Sequence, residues 1–593
     1  MNIANPIFFK RLLINVFFAH ILVLAVAQDN NTAADLIPAK FAGVLNEKPL
    51  GISGGFNSAF GFYNVRGIES RREPFVYSLN ANLNFKIYGL VDMSFGINYN
   101  SRNQLETSDP REYLKGMLDG ILKKTGFSPK YKSVTLHIGD RSMNFSQYTY
   151  SGLRFYGQGI EYKPKNSLVG FSAFRGSLQR KQIPDTLLQS PVVPTYERMG
   201  AGVKVQIGNN KNNVDLIMFK AKDDVNSLPF LSPAYNVKPQ ENLVLGFETK
   251  HKIGKRIDFQ FEYVSSAYTA DLRAPGRESI ADYTYYNNLG RLFKPLLSTR
   301  YNKALNTGIK YKAEKYGAGF SYKRVDPTFV TLGSSSAKND FEALTADGNL
   351  ALYQGKIMLM ANAGAEQNNL ANLQSLTMLR LIGGINASYT VTKDLTLSGN
   401  YANFNHSTEP SIINYADSIR MVQTNTNSGV NASYVFGKDN YKHNISANAI
   451  WQNTQDVQEL SDIKTTTTND VSNYLLAYNV NIKSLEVNGG LNYMYSLVKS
   501  PENLITANGP AITISKKLLE KKITVNFSTA YLSNTTDEVN LGNTLVYKLG
   551  GNYKPNPKHN VRADISLLDK KDKVNTDKSF IETQIKLAYS YTF

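Results

Sequence analysis

Ile581-Glu582-Thr583-Gln584-Ile585-Lys586-Leu587-Ala588-Tyr589-Ser590-Tyr591-Thr592-Phe593 ends the chain, and every second residue of it is apolar or aromatic apart from Thr583. The residues between are Glu582, Gln584, Lys586, Ala588, Ser590 and Thr592. A period of two over this length means a strand with one greasy and one wet face. A soluble sheet shows the same alternation, so three further details discriminate. The segment is long enough to cross a bilayer at a tilt, tyrosines cluster near its end, and the chain stops on an aromatic carboxyl-terminus. The reading that unites these is a transmembrane β-strand.

The opposite end agrees. Lys10 and Arg11 precede an apolar run from Leu12 to Ala27, broken only by Asn15 and His20, which closes on Ala25-Val26-Ala27. This is the pattern of a signal peptide over 1–27, with a mature chain from Gln28. A spanning helix needs about twenty clean apolar residues, and this run is shorter and interrupted. The sequence contains no cysteine, which excludes disulfides, thiolate metal sites and a lipid-anchored amino-terminus. Mean hydropathy is −0.31. That argues against a helical membrane bundle and suits a barrel, whose strands are half polar.

Between the ends, two-sided strands recur. Phe75, Tyr77, Leu79, Ala81, Leu83, Phe85 and Ile87 alternate with polar residues, as do Val91, Met93, Phe95, Ile97 and Tyr99. Ile257–Tyr263, Val430–Phe436, Tyr474–Ile482 and Ile523–Tyr531 repeat the pattern. The expected fold is all-β, a transmembrane antiparallel barrel of roughly 24–26 strands, after a short periplasmic lead-in over 28–49 and occupying 50–593. Connections alternate from residue 150 onward. Short ones such as Lys163–Asn166, Lys252–Lys255, Lys312–Lys315 and Lys554–His559 separate long ones such as Gly176–Glu197, Ser265–Asn302, Asn403–Thr426 and Gln452–Asp470. Short periplasmic turns and long external loops are the outer-membrane arrangement.

The formal charge is +18, and loss of Lys10 and Arg11 with the signal peptide leaves +16. A basic balance raises nucleic acid as a partner, but export and alternation argue against it. Many lysines, among them Lys211, Lys393, Lys442, Lys521, Lys522 and Lys558, fall in or beside the short turns. Contact with anionic lipid headgroups, at about 1 kcal/mol per residue, and simple solvation of turns both account for them. The region Ser101–Lys132 has Tyr113, Leu114, Met117, Leu118, Ile121 and Leu122 at helical spacing. It reads as an amphipathic helix over Pro110 to Lys124, and its side of the membrane stays open.

Chemical motifs are sparse. The histidines outside the signal peptide are His137, His251, His406, His443 and His559, none paired at metal-ligand spacing. No nucleophile elbow, Walker loop or dinucleotide fingerprint occurs. The expectation is no enzyme, no catalytic residue, no metal and no cofactor. In the loops, Tyr283, Tyr285, Tyr286 and Arg291 are candidate ligand contacts, and Asp223-Asp224 beside Lys220 and Lys222 is a weak calcium candidate.

These features together resemble the large outer-membrane barrels of Bacteroidota. Phe127-Ser128-Pro129-Lys130-Tyr131, then Ile138-Gly139-Asp140-Arg141 and Tyr150-Ser151-Gly152, are similar to segments of that group, which includes the translocon barrel of the type nine secretion system. The chain is much shorter than that translocon and its lead-in is too short for the plug domain of a TonB-dependent receptor, so neither activity is implied. Two functions follow as expectations. One is a porin-like channel or transporter narrowed by in-folded loops, mainly Ser101–Lys132 and Ser265–Asn302. The other is the barrel component of a secretion or surface-assembly machine, closed by a periplasmic or plug partner protein. Outer-membrane lipid and the barrel-insertion machinery are partners under either, and the resemblance implies that Tyr589, Tyr591 and Phe593 form the barrel-insertion signal.

Overall fold

The computed structural model describes residues 50–593 apart from 88–90, 101–125, 165–167, 184–192, 210, 229–234, 278–285, 287–288, 291, 336, 411–419, 439 and 461–462. The expected signal peptide over 1–27, the expected lead-in over 28–49 and the helix expected over Pro110 to Lys124 therefore lie outside the described residues.

The strands run as follows. The first group is β1 Leu50–Arg66, β2 Phe75–Ile87, β3 Val91–Asn100, β4 Gly126–Phe127, β5 Lys130–Tyr131, β6 Val134–Ser142 and β7 Arg154–Tyr162. Next come β8 Val169–Gln179, β9 Arg198–Gly208, β10 Asn213–Asp223, β11 Glu241–Ile253, β12 Ile257–Thr269, β13 Thr299–Lys312 and β14 Tyr316–Val325. The third group is β15 Phe341–Leu352, β16 Ile357–Asn368, β17 Leu376–Thr390, β18 Leu395–Pro410, β19 Arg420–Phe436, β20 Tyr441–Leu460 and β21 Ile463–Ile482. The last are β22 Val487–Lys499, β23 Leu504–Leu518, β24 Ile523–Thr536, β25 Val539–Tyr553, β26 His559–Asp572 and β27 Phe580–Thr592.

All belong to one sheet, each paired antiparallel to its neighbours. β27 returns to β1 from Arg66↔Ile581 to Gly55↔Thr592. Past the last pair, the Gly54 and Phe593 backbones exchange hydrogen bonds of 2.9 and 3.1 Å. Closure leaves no edge, which backbone polar groups in hydrocarbon require. β4 and β5 share one register against both β3 and β6, so they are two pieces of one stave. Pro129 interrupts it because proline has no N–H to donate, while its carbonyl still accepts from the Leu136 N–H at 2.9 Å. The 27 strands thus fill twenty-six positions. Because this stave exists, β3 ends and β4 begins at the barrel end opposite Leu50 and Phe593, the end of the long loops.

One outward row shows what the alternation accomplishes. Ile585, Ile565, Leu549, Phe527 and Ile514 face one another across five strands. Leu549 and Ile565 are 49% and 45% exposed on the bare barrel. Aliphatic side chains left this open belong against acyl chains, where each gains up to about 1.5–3 kcal/mol. The neighbouring inward row is Lys586, Asp564, Gly550, Asn526, Ser515 and Asn488.

Aromatic belts bound the apolar band. At the turn end His443 stacks on Phe436 at 4.8 Å and hydrogen-bonds the Tyr478 hydroxyl at 2.7 Å. His559 repeats this with Tyr591 at 4.6 Å and Tyr589 at 2.9 Å. Eight residues along β20, the Trp451 indole N–H donates to the Tyr474 hydroxyl at 3.0 Å. At a tilt near 40° that span is about 20 Å of height, close to an outer-membrane apolar band. Trp451 is the one tryptophan in the chain, so its fluorescence reports this belt directly. In liposomes it is expected to emit at a blue-shifted wavelength and to be quenched more by bromines near the headgroup than by bromines at the bilayer centre. The reverse order would displace the belt.

Above Trp451 the structure corrects the loop expectation. Gln452–Asp470 is no loop, because β20 and β21 stay paired from Gln452↔Val471 to Leu460↔Ile463. Asn403–Thr426 is likewise strand up to Pro410 and again from Arg420. The threonine run Thr465–Thr468 reads as loop because it is polar on both faces, yet threonine fits a strand well. Once above the membrane, neither face of a hairpin has to be apolar.

Candidate functional site in the lumen

The lumen wall is uneven, and its filling comes from two connections. The first, Met143–Leu153 between β6 and β7, carries Phe145, Tyr148 and Tyr150, a load too apolar for a solvated loop. All three are buried. Tyr150 lies 4.3 Å from Phe174 of β8 and 5.4 Å from Phe219 of β10, ring centre to ring centre. Phe174 also stacks on Phe155 of β7 at 4.7 Å and meets Phe145 at 5.7 Å. Such ring pairs contribute about 0.5–1.5 kcal/mol each beyond their buried area. The wall beneath is cut back to fit, since a Cβ at Gly202 of β9, the register partner of Phe174, would stand 2.6 Å from the Phe145 and Phe174 rings.

The second, residues 326–340 between β14 and β15, ties onto the first. The Phe329 ring meets Tyr148 edge-on at 6.1 Å. The Thr331 hydroxyl donates to the Thr149 carbonyl at 2.6 Å, and the Ser151 N–H to the Gly333 carbonyl at 2.9 Å. Wall side chains complete the seat. The Ser266 hydroxyl donates to the Val330 carbonyl at 2.6 Å, and the Leu332 N–H to the Asn242 side chain at 3.0 Å. Burial, then the nearby Glu262 carboxylate, pushes the Tyr148 hydroxyl up to about 12, so it stays neutral.

Beneath the filling, at the turn end, lies a polar cavity of about 530 Å³ lined by Asn144, Lys163, Ser172, Lys204 and Gln206. Lys204 donates to the Phe145 carbonyl at 3.3 Å and pairs with Asp215 at 2.5 Å. The sector from β20 to β27 contrasts with this. It leaves a recess of about 1000 Å³ whose walls include Asn479, Thr513, Asn526, Ser528, Lys548 and Lys586. One arc of the lumen is packed and another is open and wet.

The residues expected to matter are placed differently from the expectation. Tyr286 is fully buried, its hydroxyl donating to the Ser265 carbonyl at 2.9 Å. It packs with Phe293 on Leu243 and Ala267. Leu243 alternates with Val244, which belongs to the lumen cluster, so Tyr286 braces the outer face of the wall. The Ser265–Asn302 connection thus does not narrow the lumen through these residues. Its apolar side chains found bare wall on β10–β13 and covered it. Tyr283, Tyr285 and Arg291 lie outside the described residues, as does most of Ser101–Lys132, whose last residues form the β4 and β5 stave.

Asp223 is taken by Arg198 in a two-pronged pair of 2.7 and 3.0 Å, and Lys220 and Lys222 turn to Glu241 instead. Asp224 accepts from the Asn226 N–H at 2.9 Å. The two acids are thus engaged by an arginine and by backbone, not poised for calcium. His137 points into the lumen with its Nδ1 2.8 Å from the Ser128 hydroxyl, and its Nε2 is buried without a hydrogen-bond partner. His406 sits within β18 opposite Arg380 and Gln423, not in a loop. Among the described residues no three histidines or acids converge to hold a metal.

No family model matches the chain, and no curated protein does. Several solved structures are similar in fold. The FrpB iron transporter from Neisseria meningitidis aligns at 9% identity over 91% of this chain and 81% of its own, with a TM-score of 0.36. A ferric enterobactin receptor from Pseudomonas aeruginosa aligns at 10% identity over 91% and 81%, with a TM-score of 0.39. OccK1 of Pseudomonas aeruginosa aligns at 10% identity over 60% and 93%, with a TM-score of 0.28. The architecture itself rests on the closed ladder of strand pairs: the chain is a large transmembrane β-barrel.

Proposed function

We propose that the chain is an outer-membrane channel of the large Bacteroidota barrel type, exported by its signal peptide and narrowed by its own connections. The observation that carries this is the coexistence of a packed filling over Met143–Leu153 and residues 326–340 with an open recess of about 1000 Å³ beside it, into which lysine, asparagine, serine and threonine side chains project. A lumen meant only as scaffold has no reason to keep one arc lined by asparagine, serine, threonine and lysine. Tyr591 and Phe593 stack at 5.4 Å at the turn end, where a signal read by the insertion machinery has to be presented.

Purified protein in a planar bilayer is expected to give stepwise conductance. Silence there, with a second protein co-purifying from native membranes, would favour the secretion or surface-assembly barrel instead. Hydrolysis of lipid or peptide, lost on substituting His137, would indicate an enzyme.

A further inference from the structure

Inward-facing lysines differ in how they are paired. Where the lumen is packed, several are mated. Lys163 meets Glu161 at 2.9 Å, Lys204 meets Asp215 at 2.5 Å, Lys250 meets Glu248 at 2.5 Å and Lys312 meets Asp258 at 2.6 Å. In the open sector the two acids of the recess are already engaged. Asp564 pairs with Arg562 at 2.6 Å and Glu582 with Arg71 at 2.6 Å. Lys442, Lys548 and Lys586 line the same recess, are exposed, and have no ion pair or side-chain hydrogen bond among the described residues.

Their inward direction follows from the ladder. Lys586 lies opposite Asp564 and Lys548 opposite Ser566, in rows that alternate with the aliphatic outward row. Lys442 lies opposite Asn481 beside the outward His443. They are spread in depth as well. Lys442 begins its strand at the turn end, Lys548 and Lys586 stand further in, and Arg72 reaches the recess from the β1–β2 connection at the loop end. Cations left without counter-charge along a confined wet path, with low-dielectric walls around it, attract anions and repel cations. The neighbouring asparagine, serine and threonine side chains supply neutral hydrogen-bonding groups for a partly dehydrated solute.

We infer that the recess is an anion path, with Lys442, Lys548 and Lys586 setting its selectivity and small hydrophilic anions as the solute class. This rests on the channel reading. The probe is potassium chloride in a gradient across a planar bilayer, read as the reversal potential. The parent is expected to pass chloride in preference to potassium. The combined Lys442→Glu, Lys548→Glu and Lys586→Glu variant is expected to reverse the sign. The corresponding glutamine variant should bring the potential close to zero, and it keeps the test open if three new acids prevent folding. Lys393→Gln, in the β17–β18 turn, should match the parent. Conductance steps with no anion preference, or a preference unmoved by either triple variant, would overturn the anion path and leave the channel standing. Absence of steps under all salts would take both down.

Discussion

A Phe174→Ala barrel is expected to melt earlier and conduct more than the parent. Phe174 is the wall residue on which the filling converges, with the rings of Tyr150, Phe155, Phe145 and Phe219 all within 6.4 Å. Truncating a buried phenylalanine costs about 3–5 kcal/mol, because the void left behind only partly collapses. Here the void opens between the wall and the in-folded segment, so the loss falls on the contact that holds that segment in place. Its hydrogen bonds to residues 331 and 333 remain, which favours loosening over release. The measurements are the temperature at which the heat-modifiable band disappears from gels, and single-channel conductance with its noise. Phe171→Ala makes the matched control, since Phe171 sits on the same strand in the opposite phase of the alternation and pairs with the outward Val205. If both variants shift melting and conductance alike, the filling is not seated on Phe174.

Deleting Phe580–Phe593 is expected to abolish the barrel altogether. β27 is hydrogen-bonded to β26 from Lys570↔Phe580 to His559↔Tyr591 and to β1 from Arg66↔Ile581 to Gly55↔Thr592. Without it two long strand edges face hydrocarbon, where each unsatisfied backbone group costs several kcal/mol. No heat-modifiable form and no surface labelling should be recovered. Phe593→Ala is a gentler test of the insertion signal. It removes the ring stacked on Tyr591 but leaves the backbone exchange with Gly54 in place. The yield of inserted protein should fall, while the protein that does insert melts like the parent. A full yield from Phe593→Ala would remove that ring from the signal, and a folded, labelled barrel from the deletion would contradict the closure.

The residues that spoke clearly in the sequence are those with two contrasting environments. Along β27 the alternation is set by lipid on one side and water on the other, and Ile585 and Lys586 face oppositely as read. Segments answering to a single environment were opaque. Phe145, Tyr148 and Tyr150 sit among other protein side chains, so no period marks them. Their only signal is three aromatic rings within a short connection. Ser128-Pro129 hid a stave because proline ordinarily marks the end of a strand, whereas here it merely divides one. Thr465–Thr468 hid the upper hairpin by being polar on both faces. The selectivity lysines were visible as residues, but Lys442 reads as a turn lysine until its register partner is known. Tyr286 looked available for ligand because aromatic loop residues often are, and only the bare wall of β10–β13 reveals what it covers.

Both in-folded connections are spliced at each end into staves of the ring, Met143–Leu153 between β6 and β7 and residues 326–340 between β14 and β15. A stopper built as a separate piece can be drawn out whole. This one has no free end, and pulling on it would pull on the staves themselves. Cargo must therefore travel alongside the obstruction, and the ceiling on its girth is set by the breadth of the wet arc from β20 to β27, however hard either side pushes.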